Sequence, residues 1–242
     1  MRLTVLIAGF ALFCSGDAAA KTVKTERVSE VLEFTYEWPE KADQISGLHA
    51  YLQSDMEQSF RHASADATDD ARAARGNHYP FRQHSFSMSW DSEGESTPLI
   101  SLEGNLAFDT NGAHPNSGTL ALLWDRSLDR QLSLTDLFAA SSRFQALTRA
   151  TYCRALDTER LRRRQGEKLM GEFAQCPADK ALSIVLVDRN RNHRFDHISF
   201  VASPYVAGPY VEGEYDISVP VTANLVAAMK REYRTSFEAQ RQ

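Results

Sequence analysis

The sequence predicts an α+β protein of two sub-domains, with antiparallel sheets that each pack helices on one face, stapled by one disulfide. Three observations carry that expectation. Stretches such as Val28–Trp38 (VSEVLEFTYEW) and Phe81–Trp90 (FRQHSFSMSW) alternate apolar and polar residues, the period of a half-buried strand. Between them, apolar residues recur at helical spacing. Only two cysteines, Cys153 and Cys176, remain once the first twenty residues are set aside.

Those twenty residues read as an export signal. Arg2 supplies the positive start, Leu3–Phe13 the apolar stretch and Ala18-Ala19-Ala20 a small-residue cleavage site, so the mature chain would begin at Lys21. The apolar run is short of the roughly 20 residues a spanning helix needs. A rival reading acylates Cys14 as a lipoprotein anchor, but that signal needs a small residue just before the cysteine and Phe13 is large. The expected location is the periplasm or the exterior. In that oxidising setting an isolated cysteine pair is most simply a disulfide, closing a loop worth about 3 kcal/mol.

The formal net charge is -5. Losing Arg2 and Asp17 with the signal leaves it unchanged. Mild acidity argues against nucleic acid and against anionic membrane surfaces as partners. No later apolar run approaches membrane-span length.

Along the chain, Val28–Trp38 is a strand stopped by Pro39. Asp43 is placed to cap a helix whose apolar face is Ile45, Leu48, Leu52, Met56 and Phe60. The alanine-rich, charged stretch Ser64–Gly76 continues that helix or forms a solvated loop. Phe81–Trp90 is the next strand, and Asp91–Pro98, with Gly94 and Pro98, reads as a turn. Leu99–Asp109 and Thr119–Trp124 complete an antiparallel meander. A second helix runs through Phe144, Leu147, Thr151 and Ala155, with Ser141 or Ser142 as cap. Its basic end, Arg160–Arg164, is either a solvated face or a contact for an anion or glycan. Ala181–Val187 (ALSIVLV) is the most apolar strand, Phe195–Val201 its hairpin partner and Tyr215–Val219 a third strand. A closing helix from about Thr222 carries Leu225, Val226, Met229 and Tyr233 on one side.

Two segments between strands concentrate glycine, proline, histidine and aromatic residues: Asn111–Gly118 (NGAHPNSG) and Pro204–Gly213 (PYVAGPYVEG). Such composition builds shaped, rigid loops suited to binding. The candidate contact residues are His114, Asn116, Tyr205, Tyr210 and Glu212. The bland alternative is that His114 and the tyrosines hold the loops in shape.

The run NGAHPN, the later Leu134–Phe138 (LTDLF) and Phe195–Phe200 (FDHISF) leading into PYVAGPYVEG resemble the RsiV-like domain family. The preceding region resembles the PdaC-like domain of unknown function. The resemblance implies an extracytoplasmic module with a PdaC-like domain over 21–114 and an RsiV-like domain over 115–242. One branch of that family is the sensor half of an anti-sigma factor that binds lysozyme, and another accompanies a peptidoglycan deacetylase. The expected partner is therefore a peptidoglycan-related glycan or a lysozyme-like protein. This chain shows neither a membrane-spanning stretch nor a cytosolic anti-sigma segment, so signalling across a membrane on its own is not expected.

Catalysis finds little support. His193 and His197, with Asp196, have the bare H-x-x-x-H spacing of a metal-dependent deacetylase, but no Thr-Phe-Asp-Asp-Gly stretch precedes them. In a strand, residues four apart lie ~13 Å apart, too far to share an ion. Calcium is a second metal reading: oxygen-bearing side chains at Asp188, Asn190, Asn192 and Asp196 have the spacing of a calcium loop. Against it, His193 stands where such loops place glycine, three arginines crowd the ion, and Ser199 replaces the closing glutamate. The alternative is a polar hairpin turn in which these side chains accept backbone hydrogen bonds.

Overall fold

A computed structural model describes residues 21–168 and 170–240; the expected signal segment, its cleavage site and Cys14 lie outside the described residues. Six strands form the first sheet in sequence order: β1 (Thr22–Val28), β2 (Leu32–Pro39), β3 (His84–Glu95), β4 (Leu99–Asp109), β5 (Asn116–Asp125) and β6 (Arg130–Leu132). The pairs are antiparallel except β2 with β3, which run parallel. A parallel pair needs a long crossover, and two helices supply it: α1 (Glu40–Asp43) and α2 (Ser46–Gly76). The expected meander is therefore interrupted at this one pairing.

Helix α2 takes in the ambiguous alanine-rich stretch as well. Leu48, Leu52 and Met56 are buried in its first half, and Ala67, Ala71 and Ala74 continue the stripe at helical spacing in its second. The large side chains meet Phe34, Tyr36 and Trp38 of β2 and Trp90 of β3. Each such apolar burial stabilises by about 1.5–3 kcal/mol. Asp43 does not cap α2; its carboxylate instead accepts hydrogen bonds from Trp38 Nε1 (3.1 Å) and pairs with His49 (2.7 Å). The expected turn at Asp91–Pro98 is shorter than read. Strand β3 continues to Glu95 through a bulge between Ser92 and Gly94, which lets polar residues extend a strand.

The second sheet holds β7 (Ser183–Val187), β8 (His197–Ala202) and β9 (Tyr215–Pro220), all antiparallel. Its helix, α3 (Ser142–Arg163), buries Phe144, Thr148, Tyr152, Leu156 and Arg160, a stripe at i, i+4; of the expected face, Phe144 lies in it and Leu147 and Ala155 pack against the same core half-buried. Cys153 of α3 is bonded to Cys176, with Cα atoms 5.6 Å apart. The closing helix breaks early. Helix α4 (Ala223–Ala228), capped by the Thr222 hydroxyl, ends where Met229 turns extended and bridges Phe138, and a 3-10 helix follows over Arg231–Ser236. The amide of Lys230 donates to Leu137 O (2.8 Å), so tertiary pairing outcompetes another helical turn here.

The first sheet is covered on both faces. On β4 and β5, Ile100, Leu102, Leu122 and Trp124 join the core under α2, whereas Leu99 and Leu123 join the core of the second sheet. Strands β5 and β6 thus belong to the first sheet, which runs past residue 115, where the sequence divides the chain. No helix among the described residues is long and apolar enough to cross a membrane.

Candidate functional site

Ninety-one residues separate His114 from Tyr205, and the fold brings them into contact. The His114 ring stacks on Tyr210 with centroids 3.9 Å apart, and Tyr205 lies 5.6 Å from Tyr210 and 6.3 Å from His114. His114 Nδ1 is 2.8 Å from Pro115 O, and Tyr210 Oη donates to the same carbonyl at 2.7 Å. A carbonyl only accepts, so the geometry assigns the proton of a neutral imidazole to Nδ1. Nε2 is then the acceptor for the Tyr205 hydroxyl, 3.2 Å away. The two glycine-rich loops thus form one aromatic face with polar edges.

Tyr205 is 55% exposed and Val211, on the same loop, 89%. Tyr205 also has φ +71°, a left-handed conformation that a bulky side chain rarely adopts. Such strain costs of order 1–3 kcal/mol, persists only where surroundings enforce it, and clusters at functional positions.

The turn that holds this conformation is closed by the Val206 amide donating to Ser203 O (3.0 Å), and the loop beyond it is held by arginines at the end of α3. Arg163 Nη1 donates to the carbonyls of Glu212 and Glu214, both at 2.7 Å, and its guanidinium lies 3.9 Å from the Tyr215 ring centroid. Arg164 grips Glu212 through two parallel hydrogen bonds of 2.7 and 2.6 Å. Arg160, 3% exposed, donates to Ala207 O (2.9 Å) and to Gln175 O (3.0 Å). Gln175 precedes the disulfide-bonded Cys176, so one side chain ties the disulfide segment to the aromatic loop. A Cβ on Gly208 would meet the Glu212 carboxylate and the Tyr215 ring, which explains the glycine at that close approach.

Arg160, Arg163 and Arg164 of the basic cluster are therefore the loop's internal clamp, whereas Arg162 is its solvated member, paired with Glu159. Glu212 is taken up in that clamp, and the Arg164 hydrogen bonds hold its carboxyl below the usual range. Asn116 opens β5 opposite Phe108 rather than joining the aromatic face. Asn111, outside the candidate contact residues, has φ +59° and donates through Nδ2 to Gln83 O (2.9 Å), pinning the first loop.

The Asp188–Asp196 segment turns its oxygens onto its own backbone. Asp188 accepts from the amides of Asn192 (3.1 Å) and His193 (2.8 Å), and Asp196 from that of Arg189 (3.0 Å). The side-chain amides of Asn190 and Asn192 both donate to Glu238 (3.0 and 2.5 Å). This is the hairpin-turn arrangement. His193 and His197 also diverge: His193 faces Glu95 at 3.8 Å, and His197 lies 3.1 Å from Asp196. Among the described residues, no three His, Cys, Asp or Glu side chains are placed to hold one metal ion.

A second polar site lies between the sheets, where Glu93, Glu103 and Asp216 line one cavity of about 470 Å³. Burial, followed by the charges of Glu93 and Asp216, pushes Glu103 up to about 7. Sequence patterning could not find this group, because its members come from three strands of two sheets.

No family model matches this chain, and no curated protein sequence matches it. Two crystal structures of DUF3298 family proteins share its fold. One, from Bacteroides fragilis, is 15% identical with a TM-score of 0.59, over 90% of this chain and 97% of its own. The other, from Pseudomonas aeruginosa, is 14% identical with a TM-score of 0.56, over 93% of this chain and 99% of its own. At these identities the likeness is one of fold, shared with a family of unknown function.

Proposed function

We propose that the protein is a non-catalytic, exported binding module of the cell envelope, whose aromatic face of His114, Tyr205 and Tyr210 docks a peptidoglycan-related glycan. The observation that carries this reading is the exposed Tyr205, in a left-handed conformation beside the stacked rings of His114 and Tyr210. Aromatic rings with polar edges offer apolar faces to sugar C–H groups and hydrogen-bonding atoms to hydroxyls. The resemblance of the NGAHPN and PYVAGPYVEG segments to the RsiV-like family, after a PdaC-like region, supports an envelope setting and adds a lysozyme-like protein as a second ligand class. The Cys153–Cys176 bond fits an oxidising compartment. Co-sedimentation with purified peptidoglycan and retention on immobilised lysozyme test the reading. Retention in at least one assay, lost in Tyr205→Ala, is expected. Absence from both, or retention indifferent to Tyr205→Ala, would overturn it.

A further inference from the structure

A sheet carries unpaired backbone groups along its edge strands unless something covers them. In the second sheet the free side of β7 is occupied, with the Leu186 amide donating to Ser101 Oγ (3.2 Å) and the Asp188 amide to Glu93 O (2.9 Å). In the first sheet one edge is β6, three residues long, and the other is β1, with seven. At the two ends of the β1–β2 ladder, the Glu40 amide donates to Lys21 O and the Ser29 amide to Leu32 O, both at 2.9 Å. Opposed residues of an antiparallel pair alternate between hydrogen-bonded and non-hydrogen-bonded, so Val23, Thr25 and Arg27 turn their amides and carbonyls toward β2. Those of Thr22, Lys24, Glu26 and Val28 point outward, and no hydrogen bond among the described residues takes them up.

Two features separate this edge from one merely left bare. First, β1 pairs with β2 in unbroken register and holds neither a proline nor a bulge, devices that blunt an open edge. Second, its exposed side chains are complementary to themselves. They are Thr22, Lys24, Glu26 and Val28, and the two charges are of opposite sign. Around a two-fold axis at Thr25, an antiparallel copy sets Lys24 opposite Glu26 and Thr22 opposite Val28. All four face outward, so each pair exchanges both backbone hydrogen bonds. Moving the axis to Lys24 or to Glu26 sets that residue against its own copy, and like charges directly opposite destabilise a ladder. Lys24 and Glu26 already pair within one chain (Nζ–Oε1 2.6 Å). On the joined sheet that pair and its copy form a square of alternating charge.

We propose that two copies of this chain associate edge to edge through β1, joining their six-stranded sheets into one continuous sheet. The occupant is a second copy because a two-fold interface needs a surface complementary to itself, and the Lys24–Glu26 pattern supplies one. Val28, an exposed apolar residue, gains the Thr22 methyl group opposite it. On the other face of β1, Arg27 is held by Glu57 of α2, so it stays with its own chain. Strands β2, β3 and β4 separate this edge from β5, which the His114 loop precedes. The dimer and the aromatic face are therefore independent readings.

Sedimentation velocity of the full mature chain, from micromolar to submillimolar concentration, tests the proposal. A reversible monomer–dimer equilibrium is expected. Lys24→Glu and Glu26→Lys should each weaken it about tenfold, one decade of Kd. Lys24→Glu/Glu26→Lys keeps the pattern self-complementary and should restore the dimer. Mixing the two single variants should restore it as well, because each then matches the other. Tyr205→Ala should leave association unchanged. Thr25→Cys reads the register: at the axis a non-hydrogen-bonded pair brings Cα atoms to ~4.5 Å, within disulfide reach, so mild oxidation should cross-link two copies. Val28→Cys, whose copies would lie ~20 Å apart, should not cross-link. Should a charge variant fail to fold, Thr25→Cys cross-linking in the otherwise unsubstituted chain provides the same test. Monomer at every concentration, single charge variants that dimerise undiminished, no rescue by the swap, or cross-linking of Val28→Cys in preference to Thr25→Cys would overturn the proposal.

Discussion

The arginine clamp on α3 and the carboxylate cavity between the sheets treat charge in opposite ways. At the clamp, Arg164 has Glu212, Arg162 and Arg163 share Glu159, and Arg160 has Asp157 and two carbonyls. The hydrogen bonds from Arg162 and Arg163 hold Glu159 down at about 2. At the cavity, Glu93, Glu103 and Asp216 make no ion pair among the described residues although Arg189 and Arg191 share its lining, and Glu103 rises to about 7. Paired charge fixes a loop in one shape, whereas half-buried carboxylates crowded together make stability depend on their protonation. The clamp thus serves the shape of the loop that carries Tyr205 and Tyr210, and the cavity makes stability depend on pH.

The largest expected effect breaks the clamp at its covalent end. Replacing Cys153 and Cys176 by serine removes a cross-link across 23 positions and should destabilise by about 3 kcal/mol in urea unfolding. Next, Arg164→Ala strands Glu212, whose side chain is 14% exposed, and should cost about 2–3 kcal/mol; in Arg164→Ala/Glu212→Ala the cost should be smaller than the sum of the single losses. Additivity in that cycle would remove the clamp from the account.

The cavity should respond to pH with the reverse sign. Glu103 is raised from 4.5 when unfolded to about 7 when folded, so between those values the folded chain binds more protons than the unfolded one. Its contribution to stability is therefore present at low pH and lost as pH rises through about 7. Melting temperature should climb as pH falls from 8 toward 5, then drop below about 4.5 as Glu159 and Glu212 are protonated and the clamp loosens. Glu103→Gln should flatten the upper slope and leave the acid limb in place. The smallest effect is Tyr205→Gly. Glycine accepts φ +71° without strain, so stability should change by less than about 1 kcal/mol, measured by thermal melting, while ligand binding is lost.

Much of the architecture was legible because it is local. The spacing of Leu48, Leu52 and Met56 marks the buried face of α2, and the two cysteines left after the signal mark the disulfide. The loops around His114 and Tyr210 could be singled out by composition, though not their stacking across 96 residues. What escaped depends on tertiary pairing. Strand β1 is polar on its exposed side and held by β2, so its sequence carries little signal. The parallel β2–β3 pair follows from the crossover through α2, not from either strand. The arginines of α3 looked like a solvated end because their partners lie 47 to 51 residues onward. Glu103 sits in an ordinary alternating strand, and only the docking of the second sheet makes it unusual.

The most direct measurement is a chemical-shift map of the mature chain, with resolved side-chain signals for His114, Tyr205 and Tyr210, titrated with soluble peptidoglycan fragments and, separately, with lysozyme. Shifts that saturate and centre on these three rings, with the clamp residues Arg163 and Arg164 little changed, are the predicted result. Silence with both ligands, or shifts centred on any other face, would contradict the account.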